Sequence, residues 1–204
     1  MQDGIKRSRG RPRAYDREKA VQAITSLFWR QGYSATSLDD ISDATGMTRP
    51  SLYQAFGSKT DMYQQALEFF VSRMVAASAT SLDGSLPPQQ ALSRFFRSIL
   101  DIYFHEDDGL GCFVFCTTLA ETNNQPPLRE MLAAVIEQLD AALVGFFQEA
   151  QKTGQLRSAT DAQTLALLVQ ALLQHIAIRA RSGEKKSALM ERVESALPSV
   201  LSAS

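Results

Sequence analysis

The chain is poor in the residues that carry most covalent and metal chemistry in proteins. Its 204 residues include two cysteines, two histidines and one tryptophan. Two cysteines do not make a disulfide framework, and the two histidines lie 70 positions apart at His105 and His175. The sequence also lacks a Gly-rich phosphate loop and a nucleophile elbow. It therefore predicts a protein that is not an enzyme and that holds no cofactor.

Metal binding is not favoured either. The run His105-Glu106-Asp107-Asp108 contains side chains of the types that ligate metals. A polar run of this kind between two apolar segments is more typical of a solvated loop, so we expect no metal site.

Long apolar runs are missing as well. No stretch approaches the roughly 18 apolar residues that a membrane span requires. The first residues are basic and polar, without the apolar core of a signal peptide. We expect a chain with no membrane partner that works in a reducing cytoplasm.

Strand patterns are scarce, because apolar residues recur at spacings of three and four rather than alternating. This periodicity predicts an all-α protein. Caps and breakers place helices near residues 16–32, 37–45, 48–56, 58–80, 89–104, 126–154, 161–181 and 185–201, with a short apolar helix over 112–122.

Charge divides the chain into two parts. Residues 1–59 carry ten Lys and Arg against six Asp and Glu, a balance of +4. Residues 60–204 carry eleven against sixteen, a balance of −5. A basic head on an acidic body suggests that only the head meets a polyanion.

Residues 36–61 have the pattern of a helix-turn-helix. Ser37 is placed to cap one short helix, Gly46 to make the turn and Thr48 to cap the next, with Pro50 in its first turn. Ser58, with Asp61 three residues later, predicts the start of a long helix. A helix-turn-helix places its second helix in the DNA major groove.

This segment also resembles a known family. The resemblance to the head of TetR-type transcriptional regulators covers about residues 14–65 and rests on Gly32-Tyr33, Thr36-Ser37-Leu38-Asp39-Asp40-Ile41, Gly46-Met47-Thr48-Arg49-Pro50-Ser51-Leu52-Tyr53, Phe56 and Lys59. It implies an all-helical homodimer that, in most members, represses transcription until a small molecule binds the larger domain. We therefore expect a disordered basic arm over 1–14, a DNA-binding domain over 15–60, and an effector-binding and dimerisation domain over 61–204.

The start of the second helix supplies the candidates for reading base edges. They are Thr48, Arg49, Pro50, Ser51 and Gln54. Arg49 suits either the O6 and N7 atoms of guanine or a phosphate, and the sequence leaves both open.

The resemblance further implies phosphate contacts by Ser37, Tyr53 and Lys59. Asp39 departs from the family pattern, because many relatives carry a basic residue there. We expect Asp40 to be occupied in capping, and Asp39 to point aside or to accept from a cytosine amino group.

The basic arm is a second DNA signal. Its Arg9, Arg11 and Arg13 lie in an Arg-Gly-Arg-Pro context that resembles the core of an AT-hook. Insertion into a narrow A·T-rich minor groove and nonspecific phosphate attraction both remain open. In either case the arm should steepen the salt dependence of DNA binding.

The body offers candidates for sensing an effector. Cys112 at the start of a short helix would have a lowered thiol pKa, and Cys116 one turn on is a candidate partner thiol. The alternative is that both are small buried hydrophobes. Candidates for lining a ligand cavity are the aromatic residues Phe95, Phe96, Tyr103 and Phe146, and the polar Gln174 and His175. A plain core is the alternative for the aromatic residues, and a place across the dimer seam is the alternative for Gln174 and His175.

In the helix over 161–181, the runs 165–169 and 171–173 are apolar nearly all round, which predicts burial on several sides. We expect this helix and the last one to form a four-helix interface with a second copy. A central core helix in a monomer is the alternative. The sequence thus predicts a homodimeric regulator, most simply a repressor, that binds a palindromic double-stranded operator and leaves it when a small-molecule or thiol-reactive effector of unknown identity binds. The alternatives are an architectural protein of A·T-rich DNA without an effector and, less favoured, a small helical thiol enzyme.

Overall fold

The computed structural model describes residues 16–105, 108–157 and 159–202. Within them the fold is built from eight α-helices: α1 (Arg17–Gln31), α2 (Leu38–Thr45), α3 (Arg49–Phe56), α4 (Lys59–Ser81), α5 (Pro88–Tyr103), α6 (Pro126–Lys152), α7 (Ala162–Arg181) and α8 (Lys186–Leu201). The prediction of an all-α protein is confirmed.

Local chemistry sets where the first helices begin. Asp16, Ser37, Thr48 and Ser58 cap α1 to α4, each accepting from a backbone N–H three residues on. Ser37 and Ser58 form complete capping boxes with aspartates three residues later. These caps are the ones that the sequence predicts.

Helices α1, α2 and α3 form a small head around a shared core. Phe28, Ile41, Leu52 and Phe56 are its fully or almost fully buried side chains. Gly46 makes the turn between α2 and α3 in the left-handed conformation, with a φ of 66°. Because a side chain resists that conformation, glycine is the least costly residue there.

Helix α4 belongs to both parts of the molecule. It packs against α1 on one side and against α5 on the other. Its buried residues include Met62, Tyr63, Ala66 and Phe70. The rings of Tyr63 and Phe70 pack edge-on against Phe28 and Trp29 of α1. A tilt of α4 would therefore displace the helices of the head that pack against it.

The body consists of α5 to α8. Helix α6 packs on α7, and α5 and α7 both pack on α8. None of the described helices combines the length and the apolar character needed to cross a bilayer.

The connection between α5 and α6 differs from the predicted helix over 112–122. It holds an antiparallel pair, β1 (Phe104–His105) and β2 (Asp108–Gly109), a π-helical turn over Val114–Thr118 and a 3₁₀ turn over Leu119–Glu121. In this geometry Thr117 and Thr118 both reach the hydroxyl of Tyr63, at 3.1 and 3.2 Å. These two bonds tie the π turn to α4. We call residues 108–121 the bridging segment.

Candidate DNA-binding face and effector cavity

The outer face of α3 is the candidate surface for reading DNA. Thr48, Arg49, Pro50, Ser51 and Gln54, the residues that the sequence nominates, are all exposed. The opposite face of the helix is fixed in the core by Leu52 and Phe56. A rigid short helix therefore presents one polar edge to solvent, as a recognition helix must.

The first turn of this helix is internally bonded. The Thr48 side chain accepts from the backbone N–H of Ser51, and the two hydroxyls lie 3.0 Å apart. These bonds orient both side chains at the N-terminus of the helix.

Arg49 and Asp39 form a two-point ion pair on this face. Arg49 Nε donates to Asp39 Oδ1 at 2.8 Å, and Arg49 Nη2 donates to Asp39 Oδ2. The Asp39 carboxylate raises the pKa of the guanidinium above its usual value. The sequence leaves Asp39 to point aside or to accept from a cytosine amino group; in the structure both of its carboxylate oxygens accept from Arg49 of the next helix.

The three phosphate candidates lie around this face. Ser37 is exposed at the N-terminus of α2, and Tyr53 keeps 50% of its surface exposed on α3. The Lys59 ammonium lies 4.4 Å from the centre of the Tyr33 ring. Burial lowers the pKa of Lys59, an effect that the charges of Glu121 and Asp40 oppose.

The expected role of Asp40 in capping is confirmed, since its carboxylate accepts from the Ser37 backbone N–H at 2.7 Å.

The basic arm over 1–14, with Arg9, Arg11 and Arg13, lies outside the described residues. Glu106 and Asp107, from the acidic run weighed as metal ligands, lie outside them too. Among the described residues no three His, Cys, Asp or Glu side chains are grouped to hold a metal ion.

The head is tied to the body at the C-terminal end of α1. Arg181, the last residue of α7, donates to the backbone carbonyls of Trp29, Arg30 and Leu110 at 3.0 to 3.2 Å. The Trp29 indole N–H donates to the carbonyl of Gly111 at 3.1 Å. A cation on the final carbonyls of a helix is favourable both as a hydrogen-bond donor and against the helix dipole.

A second tie joins the loop after α1 to the end of the bridging segment. The Glu121 carboxylate accepts from the backbone N–H of Ser34 at 3.1 Å and from its hydroxyl at 2.7 Å. Glu121 is 92% buried, since only 8% of its surface is exposed. We call these two bonds the Ser34–Glu121 latch. The sequence gives no signal for it, because the partners are 87 positions apart.

A cavity of about 250 Å³ lies between α4, α6 and the bridging segment. Its walls are mainly apolar, with a single amide and a single hydroxyl among them. The lining residues are Phe70, Val71, Met74, Val75, Ser78 and Ala79 from α4, Leu82 just after it, Cys112, Val114 and Phe115 from the bridging segment, and Val135, Gln138, Leu139 and Ala142 from α6. A space of this kind suits a small, mostly apolar molecule.

Cys112 is the one sequence-nominated effector residue in this lining. Its thiol is buried, and burial raises its pKa from 9.0 to about 12. The predicted lowering of that pKa is therefore wrong, because loss of solvent outweighs the hydrogen bonds from backbone N–H groups. Cys116 is half-buried, lies 3.8 Å from the carbonyl of Ala177, and also has its pKa raised by burial.

The other nominated effector residues lie elsewhere. Phe95, Phe96, Tyr103 and Phe146 are buried in the body and do not line this cavity. Gln174 and His175 are exposed on α7. The α4 and α6 residues that do form the walls were missed, because periodicity marks an apolar face without showing where packing leaves a gap.

Helix α7 also carries an exposed apolar stripe. Leu167, Leu168 and Ile178 expose 66%, 37% and 65% of their surfaces, and Ala171, Gln174 and His175 continue the same side of the helix. Positions 167, 171, 174 and 178 follow the three-and-four spacing of one helix face. We call these six residues the α7 stripe.

Comparisons with known proteins agree with this geometry. Two family models match: bacterial regulatory proteins of the tetR family over residues 20–66, and the tetracyclin repressor-like C-terminal domain over residues 88–197. The chain is 31% identical to the HTH-type transcriptional repressor ComR of Escherichia coli (strain K12) over 192 residues, 92% of this chain and 90% of ComR. It is 30% identical to the repressor DhaR of Mycobacterium sp. (strain GP1), over 69% of this chain and 70% of DhaR.

Solved structures show the same fold. A cysteine mutant of the TetR family transcriptional regulator CifR, complexed with a 26-base-pair double-strand operator, superposes with a TM-score of 0.84. It is 27% identical and covers 93% of this chain and 98% of that one. With a DNA-binding head, a helical body and relatives that match along nearly the whole length, the chain belongs to the TetR family of DNA-binding transcriptional regulators.

Proposed function

We propose that the protein is a homodimeric repressor that binds a palindromic operator through α3 and leaves it when a small apolar molecule enters the body cavity. The observation that carries the proposal is the polar, exposed edge of α3, held by a buried apolar edge. The names of ComR and DhaR as repressors, and the operator bound to CifR, support it.

Each part of the chain then has a task. Residues 15–60 read the operator, with Thr48, Arg49, Pro50, Ser51 and Gln54 toward base edges and Ser37, Tyr53 and Lys59 toward phosphates. Residues 61–204 bind the effector and form the dimer. Residues 1–14 add minor-groove or phosphate contacts through Arg9, Arg11 and Arg13. Operator binding places the protein in the cytoplasm, on the nucleoid.

Two copies would meet through the last two helices of each. The α7 stripe is the supporting feature, since leucine and isoleucine rarely stay this exposed together on a lone helix. A two-fold axis there would present two α3 helices to successive half-sites of one operator, which explains a palindrome.

The effector is best matched by an apolar ligand that binds reversibly. The cavity offers apolar contact through Met74, Leu139 and Phe115, and the Gln138 side-chain amide can hydrogen-bond to a polar group of the ligand. A thiol-reactive effector acting on Cys112 is the alternative, but a pKa near 12 leaves very little thiolate at neutral pH. The same pKa disfavours a thiol enzyme.

Release follows from what the cavity walls touch. Cys112, Val114 and Phe115 line the cavity and lie in the bridging segment, which holds the head through Gly111 and Glu121. Helix α4 supplies the opposite wall and also packs on α1. A ligand that favours one arrangement of these elements changes the spacing of the two α3 helices, by its differential affinity for the two states and no more.

The test is selection of bound sequences from a random DNA pool by the purified protein at near-physiological salt. Recovery of a palindrome supports the proposal. Recovery of A·T-rich sequence without symmetry supports an architectural protein instead, and no enrichment at all overturns operator-specific binding.

The choice of effector chemistry has its own test. Cys112→Ser should bind the selected operator as the wild type does. If a thiol-reactive agent releases wild type but not this variant, the thiol mechanism replaces the reversible one.

A further inference from the structure

Asp39 and Arg49 lie on different helices and meet at the base-reading edge of the head. Asp39 is in the first turn of α2, and Arg49 is the first residue of α3. Both side chains are more than half exposed, at 68% and 54% of their surfaces. Exposed ion pairs contribute little to folding, so stability alone gives no reason for this one.

The geometry of the pair leaves a specific part of Arg49 free. Asp39 occupies the edge of the guanidinium formed by Nε and Nη2. Guanidinium carries five N–H groups in a fixed plane, and the edge formed by Nη1 and the second hydrogen of Nη2 remains available. That edge can donate two parallel hydrogen bonds to O6 and N7 of guanine.

The pair also removes a conflict of charge. A carboxylate on the DNA-facing side of a head repels phosphates, as does the neighbouring Asp40. Asp39 pairs with Arg49, and Asp40 is held by the Ser37 backbone N–H. Both carboxylates thus accept hydrogen bonds from donors of the head itself. This pairing offsets the repulsion that they would otherwise exert on the DNA phosphates.

We propose that Asp39 is a specificity-determining residue that holds the Arg49 guanidinium in the orientation that reads one guanine in each half-site. The inference rests on the proposed function, since it requires that α3 read an operator. Asp39 itself makes no base contact. It acts through Arg49, because the ion pair fixes the long arginine side chain before DNA binds. The negative charge of Asp39 also weakens the nonspecific attraction between the head and DNA phosphates.

A different role for the same contact predicts a different outcome. If Asp39 only withdraws Arg49 from DNA, its removal frees a cation, and the operator binds more tightly with no change in which base is preferred. The two roles therefore differ in the base preference and not only in the affinity.

The experiment compares wild type, Asp39→Asn, Asp39→Ala and Arg49→Lys, with Asp43→Asn as the matched control. Asp43 is an exposed carboxylate in the same helix, so the control removes the same charge from α2. Each protein is put through sequence selection. Its Kd is then measured by fluorescence anisotropy on the wild-type operator, on operators with each guanine replaced, and on unrelated DNA. Thermal midpoints show that the variants fold.

We expect replacement of one symmetric guanine to weaken wild-type binding by at least about fivefold, the lower end for a bidentate arginine contact. Asp39→Asn, Asp39→Ala and Arg49→Lys should lose most of that discrimination, while their binding to unrelated DNA is equal or tighter. Asp43→Asn should keep the wild-type discrimination.

Tighter operator binding by Asp39→Asn with the guanine preference intact overturns the inference in favour of simple withdrawal. A palindrome whose consensus is unchanged in Arg49→Lys also overturns it, while the proposed function stands. Absence of any palindrome for wild type overturns both.

Discussion

Gly111 lies where the bridging segment meets both α7 and the end of α1. Its φ is +66°, and a Cβ there would be 2.2 Å from the carbonyl oxygen of Ala177. We expect Gly111→Ala to lower the free energy of unfolding by at least about 2 kcal/mol, because a left-handed conformation and an overpacked contact are combined. Gly154→Ala is the control, with φ +72° and nothing within 4 Å, and should cost about 1 kcal/mol. Urea unfolding of the two variants measures the difference, and equal losses would contradict the tight contact at Gly111.

The Cys112 thiol makes a prediction about pH. Raising its pKa from 9.0 to about 12 lowers the thiolate fraction at neutral pH by three powers of ten. Iodoacetamide should therefore alkylate Cys112 about a thousandfold more slowly in the folded protein than in urea at pH 7.5, and the folded rate should keep rising with pH well above 9. Mass spectrometry of quenched samples separates Cys112 from Cys116. A folded rate that levels off near pH 9 would show an ordinary thiol.

Among the elements, the bridging segment joins the head to the body beside α4. We expect Glu121→Ala to weaken operator binding about fivefold, because the heads lose a fixed orientation that binding must then restore. In a double-mutant cycle with Ser34→Ala, the free energies of unfolding should show a coupling of about 1 kcal/mol. Thr122→Ala is the control, since Thr122 donates only to the nearby Leu119 carbonyl. Additive effects of Ser34→Ala and Glu121→Ala would mean that the latch does not act as a unit.

The same elements show how far sequence reasoning extends. Helix starts at Ser37, Thr48 and Ser58 were predictable because each cap acts on the backbone three residues away. The π turn over Val114–Thr118 was not predicted, and its bonds to Tyr63 join segments more than 50 positions apart. A helix cap can be predicted from a few neighbouring residues, whereas a hydrogen bond between distant segments can be identified only from the folded structure.

The candidate sites divide in the same way. Every base-edge candidate proved to be exposed on one edge of α3, since a recognition helix is a local motif. The aromatic cavity candidates such as Phe95 and Phe96 proved to be fully buried core instead. Whether an apolar residue fills the core or lines a cavity depends on the volumes of the side chains packed around it. The three-and-four spacing of apolar residues carries no information about those volumes.

At the scale of the whole molecule, the α7 stripe predicts the assembly. We expect Ile178→Glu and Leu167→Glu each to convert the proposed dimer into a folded monomer, because a symmetric interface meets the added charge twice. Analytical ultracentrifugation should report half the wild-type mass, with helicity by circular dichroism unchanged. Leu119→Glu is the matched control, since its side chain is 60% exposed but belongs to the bridging segment and not to α7, and this variant should remain dimeric.

The monomers should also lose operator affinity by at least about a hundredfold, although no DNA-contacting residue has changed. A dimer holds its second head at a high effective concentration once the first half-site is bound, and a monomer does not. Binding to a single half-site should be the same for monomer and wild type, which separates loss of linkage from damage to the head. Dimers that persist in both α7 variants would place the interface elsewhere, and monomers that keep full operator affinity would mean that one head is enough.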